Sequence, residues 1–112
     1  MLTTYNKGIF AEWFLIFLLI IKGYKILAHR YKTKLGEIDV IASKNKNLKI
    51  FEVKSRSKGN FELGSDNVRV KQRSRIEMAT KMFLSKHNKY LDYNISYSIF
   101  LFNNIFNYKF FE

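Results

Sequence analysis

The chain has 112 residues, of which 47% are hydrophobic, a size and composition that allow one domain with one core and exclude a disordered chain. The absence of cysteine excludes a disulfide framework and a thiolate metal site, and suits a reducing, cytoplasmic setting. The formal net charge of +11 and sequence pI near 9.9 favour a polyanionic partner, although Lys, Asn, Ile, Phe and Tyr all have A+T-rich codons, so basicity alone does not carry that reading.

The first element is a helix over residues 8 to 22, apolar nearly all round and therefore expected to be buried on more than one side. Its uninterrupted apolar run, Trp13 to Ile21, is nine residues long, about half of the ~18–20 needed to cross a bilayer. Glu12 interrupts it on one side and Lys22 and Gly23 on the other, and no small-residue cleavage site follows. A core helix is expected rather than a membrane span, with Gly23 as its stop.

Three strand-like runs come next: Tyr24 to Tyr31, Gly36 to Ser43 and Leu48 to Ser55. The short polar links between them predict an antiparallel meander. Arg56 to Ser65 reads as a loop, and Ser65 or Asp66 is placed to cap a second helix running to about Lys86. Ile76, Ala79 and Phe83 mark the core stripe of that helix. A strand over Ser96 to Phe102 follows, then a turn at Asn103-Asn104, and Ile105 to Phe111 pairs back. The helix between the third and fourth strands predicts a crossover and hence a mixed sheet flanked by helices, an α/β fold in a single domain over residues 1–112.

The second hairpin can be put in register. With Lys44 to Asn47 as the loop, Ser43 faces Leu48, Asp39 faces Glu52 and Glu37 faces Lys54. Side chains alternate, so these four charges share one face, while Ile38, Val40, Phe51 and Val53 share the other. Directly opposed like charges are destabilising, and unpaired carboxylates in hydrophobic strands are costly to bury. A divalent cation between Asp39 and Glu52 relieves both problems, and hard oxygen donors with few protein ligands suit Mg²⁺. The plainer alternative is a solvated hairpin carrying two weak surface ion pairs. Ile41 and Ile50 on the charged face count against it.

Asp39 followed by Glu52-Val53-Lys54 resembles the PD-(D/E)xK motif of restriction-endonuclease-like nucleases. The wider pattern resembles the YraN-like family of small bacterial proteins, related to Holliday-junction resolvases. Its matching pieces are Gly8 and Glu12; Gly23-Tyr24 with Ile26-Leu27; Gly36-Glu37-Ile38-Asp39 with Ile41-Ala42; Phe51 to Arg56; and Lys71, Arg75-Ile76 and Ala79. The resemblance spans roughly residues 8 to 85 and implies a restriction-endonuclease-like αβββαβ core. It implies that Asp39, Glu52 and the carbonyl of Val53 hold Mg²⁺ or Mn²⁺. Lys54 would orient or help deprotonate the attacking water, and Glu12 would reach the site from the first helix. Glu37 would act as a metal ligand or as a neighbour that orients the ligands. A resolvase would need two active sites, which makes a homodimer an expectation. The chain departs from the family at Ala11, where a glycine is usual, and at Ser96-Tyr97-Ser98, where the late strand often carries Arg-Phe-Asp.

Arg69, Lys71, Arg73 and Arg75 open the second helix, where positive charge opposes the macrodipole. A phosphate backbone would offset that cost, and Lys54, Arg56 and Lys58 lead from the site towards it. Phosphate contacts carry no direct sequence information, so structure-selective or non-specific action on branched or damaged DNA is expected. Two other readings stand beside the nuclease: a non-catalytic nucleic-acid-binding protein on a nuclease scaffold, and a peripheral membrane protein held by residues 9 to 21. His29 and His87 lack a partner histidine at ligand spacing and receive no catalytic role.

Overall fold

A computed structural model describes residues 4–55 and 66–112, with side-chain surroundings described from residue 6 and, in the second helix, from residue 70. Helix α1 (Thr4–Ile21) precedes strands β1 (Lys25–Lys32), β2 (Glu37–Lys44) and β3 (Asn47–Ser55). Helix α2 (Asp66–Lys86) and a 3-10 turn (Asn88–Tyr90) lead to β4 (Asn94–Asn104) and β5 (Asn107–Phe111). The five strands form one sheet in the order β1-β2-β3-β4-β5. Only β3 and β4 run parallel; the other neighbours are antiparallel. The mixed sheet and the α2 crossover agree with the sequence reading and are compatible with a restriction-endonuclease-like core.

Each helix covers one face. Ala11, Leu15, Ile16 and Leu19 of α1 pack on Val40, Ala42, Phe51, Phe100 and Phe102. Ile76, Ala79 and Phe83 of α2 pack on Ile38, Ile41, Leu48 and Ile50. Helix α1 ends where a left-handed residue lets the chain reverse. Gly23 has φ 91°, Tyr24 N–H donates to Leu19 O at 2.9 Å and Gly23 N–H to Ile20 O at 3.0 Å. That bond pair is the Schellman arrangement, and only glycine adopts its backbone without cost.

The hairpin register is as read from the turn as far as Val40 and Phe51. Ser43 pairs with Leu48, Ile41 with Ile50 and Val40 with Phe51. The connection is tighter than the four-residue loop: Lys44 pairs with Asn47, and Asn45 and Lys46 both have positive φ, 50° and 65°. Two such residues make the turn whose twist matches that of the strands.

Three further expectations are corrected. Helix α1 is buried on one side only; Trp13, Phe17 and Ile21 are 56%, 57% and 65% exposed, because a single sheet covers the helix. Ile38 lies under α2 with Ile41, not with Val40. The cause is a break in alternation opposite Arg30, whose φ is 59° between the His29–Val40 and Tyr31–Ile38 pairs. The last turn is Ile105-Phe106, with Asn103 and Asn104 still in β4; Asn104 Oδ1 accepts Phe106 N–H at 2.8 Å and so closes the turn after itself. The loop read over Arg56 to Ser65 lies outside the described residues. Among the described residues, no helix is long and apolar enough to cross a membrane.

Candidate metal and nucleic-acid site

The β2–β3 ladder carries its last pair at Val40–Phe51. Beyond it, the strands part and a side chain enters the gap: Asp39 Oδ2 accepts the backbone N–H of Val53 at 2.7 Å. The oppositions of Asp39 to Glu52 and of Glu37 to Lys54 are therefore not realised as strand pairs. Glu37 pairs with Lys32 of β1 and is exposed, while Lys54 Nζ lies 2.8 Å from Glu52 Oε1.

Asp39 is thereby held in a partly buried position among carboxylates. Burial, and the neighbouring charges of Glu12, Glu52 and Glu37, push its pKa up to about 6, against the lowering effect of the Val53 amide. Among the described residues, the ion pairs around the site engage Glu12 and Glu52 but not Asp39.

Glu12 extends from α1 to within electrostatic reach of Asp39. Its carboxylate is 12% exposed. His29, protonated on Nε2, donates to Glu12 Oε1 at 2.7 Å, and Arg30 Nε donates to the same oxygen at 2.8 Å. Trp13 packs edge-on against the His29 ring, with centroids 4.7 Å apart. The sequence reading missed this pair. The available signal was Glu12 itself, since one carboxylate in so apolar a helix needs donors, and His29-Arg30 is the polar dipeptide of the facing strand.

Gln72 of α2 was also missed. With its amide turned to satisfy both neighbours, it donates to Glu52 Oε1 at 3.1 Å and accepts from Lys54 Nζ at 2.9 Å. It stands four residues before Ile76, so the core stripe of α2, continued towards its start, puts a polar group against the two motif residues. Gly36 brings α2 this close. A Cβ at Gly36 would lie 2.2 Å from Arg75 O, so only glycine lets the helix backbone rest there.

An open cleft of about 410 Å³ lies between α2 and strands β3 and β4, with Glu52 and Lys54 in its wall. Of the basic residues singled out in the sequence, Arg73 lines the cleft, its guanidinium centre 4.1 Å from the Tyr97 ring centroid. Lys71 and Arg75 are exposed and stand outside that wall. Arg56 and Lys58, and the side chain of Arg69, lie outside the described residues.

The donor set fits a hard divalent ion in part. Among the described residues, no three His, Cys, Asp or Glu side chains are gathered closely enough to cage a metal by themselves. Two carboxylates and a backbone carbonyl would leave several positions to water and substrate phosphate, as Mg²⁺ prefers. A partly buried carboxylate whose pKa is raised by burial and by the charges of Glu12, Glu52 and Glu37 is also where a cation has most to neutralise.

Comparison with known proteins places this architecture in a family. Residues 11–101 match the model of uncharacterised protein family UPF0102. A UPF0102 protein of Ehrlichia chaffeensis is 43% identical over 96 residues, covering 86% of this chain and 75% of the relative. One from a Chelativorans species is 40% identical over 97 residues, covering 85% and 75%. One from Caldicellulosiruptor bescii is 37% identical over 87 residues, covering 75% and 73%. The YraN-like resemblance and this match are the same grouping, one of PD-(D/E)xK nuclease-like proteins. With more than two thirds of both chains aligned, this protein belongs to uncharacterised protein family UPF0102.

Proposed function

We propose that the chain is a divalent-metal-dependent DNA endonuclease of the PD-(D/E)xK type, acting on branched or damaged DNA. The observation that carries the reading is Asp39, seated by the Val53 amide within electrostatic reach of Glu12, Glu52 and Glu37. A carboxylate kept there only to accept the Val53 amide would carry the desolvation cost that raises its pKa.

Asp39, Glu52 and the Val53 carbonyl would hold Mg²⁺ or Mn²⁺. Bound there, the ion would supply Lewis-acid stabilisation of charge on the phosphate and a lowered pKa for the attacking water. Lys54, fixed by Glu52 and Gln72, orients that water and screens the phosphate. Glu12, fixed by His29 and Arg30, adds negative charge beside Asp39 and strengthens the site's demand for a cation. Resolving a four-way junction would need two such sites, so the proposal extends to a pair of chains on such a substrate.

The test is cleavage of branched, flapped and linear DNA by purified protein with Mg²⁺ or Mn²⁺, against Asp39→Ala and Lys54→Ala. Loss of cleavage in both variants supports the enzyme. Equal residual cleavage by wild type and Asp39→Ala overturns it, and salt-dependent binding that survives Asp39→Ala without any cleavage would identify a binding protein on a nuclease scaffold.

A further inference from the structure

The cleft beside Glu52 and Lys54 is more than a phosphate track. Strand alternation and the parallel register put Ile50 beside Tyr97 and Glu52 beside Ile99. Its floor is therefore apolar and aromatic next to the motif residues, and α2 adds Val70 and Arg73. A groove meant only for a phosphodiester backbone would be lined with cations and amides. Here Arg73 lies over an aromatic ring, and the rest of the wall mixes aliphatic side chains with Ser74, Ser98 and the carboxylates of Glu77 and Glu112, a lining that offers a phosphodiester backbone little beyond Lys54 and Arg73.

We propose that this cleft receives a nucleobase, so that the substrate is a strand whose base is unpaired or flipped out next to the scissile phosphate. The proposal rests on the nuclease reading and specifies its substrate class. Nucleobases stack on aromatic rings and guanidinium planes whatever their sequence; Arg73 covers one face of the Tyr97 ring, so an entering base would stack on the guanidinium that Tyr97 holds flat. The volume of about 410 Å³ falls within the range of small-ligand sites, about 300–1,000 Å³. A base inside an intact duplex has both faces stacked and its edge paired, so it reaches such a cleft only by leaving the helix. Flaps, junction points and damaged positions offer bases already out of the stack, at least cost. The net charge of +11 draws in the strand, and the cleft selects its unpaired part.

The experiment is a binding titration of the full chain in EDTA, so that cleavage plays no part. The probe is an oligonucleotide with one 2-aminopurine, presented unpaired in a flap or paired in a duplex of equal length and salt. The expected result is fluorescence quenching of the unpaired probe and about tenfold tighter binding than the paired one. Replacing the unpaired base by an abasic site should cost about tenfold, in the range of one stacking contact. Arg73→Ala, at an exposed helix position, should erase most of that preference. Lys71→Ala should weaken flap and duplex alike. Tyr97→Leu, read alongside a circular dichroism check of folding, should reduce the quenching. Equal binding of flap, abasic and duplex probes overturns the proposal, as does a preference untouched by Arg73→Ala. A nuclease that fails this test still cuts through Asp39, whereas failure of the nuclease reading appears as cleavage indifferent to Asp39→Ala.

Discussion

Asp39 Oδ2 and the amide nitrogen of Val53 stand 2.7 Å apart, and this one contact replaces the ladder bonding that ends at Val40–Phe51. A side chain thus occupies the place of a backbone acceptor, which keeps the Val53 amide satisfied while leaving a carboxylate within electrostatic reach of Glu52. Several measurable consequences follow from that exchange and from the packing around it.

In metal-free protein, Asp39 makes stability depend on pH. Its folded pKa, about 6, lies above the ordinary 3.8, so the folded state holds the proton more tightly. Its contribution is complete below pH 3.8, declines as pH rises through 6 and is absent above that. The span corresponds to about 3 kcal/mol. Denaturant titrations in EDTA of wild type and Asp39→Asn, which cannot ionise, should diverge by roughly that amount between pH 4 and pH 7. Parallel curves would show that Asp39 is not desolvated.

Divalent cations should reverse the penalty. At neutral pH, Mg²⁺ or Mn²⁺ at about a hundred times its Kd should stabilise the fold by about 2.7 kcal/mol. The melting temperature should rise, and EDTA should return it. Asp39→Ala and Glu52→Ala should each lose the shift, with thermal denaturation as the readout. A shift that survives both substitutions would place the ion elsewhere.

Gly36→Ala should destabilise the protein without touching a charged group. The new Cβ would meet Arg75 O at 2.2 Å and its carbon at 2.7 Å, and a helix backbone cannot swing aside as a side chain can. An overpacking cost of about 1–3 kcal/mol is expected, read as a lower denaturant midpoint. Because the same approach seats Gln72 on Lys54 and Glu52, cleavage should fall further than stability alone explains.

Gln72→Leu should lower the turnover of DNA cleavage by about tenfold, the smaller end of losses when a group orienting a metal-site residue is removed. The effect should fall mainly on kcat, because the amide positions Glu52 and Lys54. A variant with wild-type kcat would reduce Gln72 to packing.

His29→Ala should weaken folding by about 1.5–3 kcal/mol, the range of a hydrogen bond to a charged group. A double-mutant cycle with Glu12→Gln should show coupling, because both changes act on the 2.7 Å contact. Additive losses would mean that the contact is not made in solution.

The legible parts of this fold were those set by local pattern. The hairpin register followed from alternation on both sides of a short polar turn, and the crossover followed from a helix between two strand runs. Asp39, Glu52 and Lys54 were visible as charges in apolar strands. What escaped was fixed by contacts distant in sequence. Ile38 changed face because Arg30 takes φ 59°, a conformation no propensity assigns to arginine. Lys54 turned to Glu52 rather than Glu37 once Asp39 parted the strands. The open side of α1 was hidden because apolar composition says that burial is favourable and does not say how many partners are present.

The substitution of carboxylate for carbonyl at Val53 also gives the molecule a reporter. That single amide proton is held by a group that a cation or a proton would claim. Its chemical shift and its exchange with solvent should therefore follow occupancy of the site directly, residue by residue, while the amides of Ile50 and Phe51 in the regular ladder stay silent.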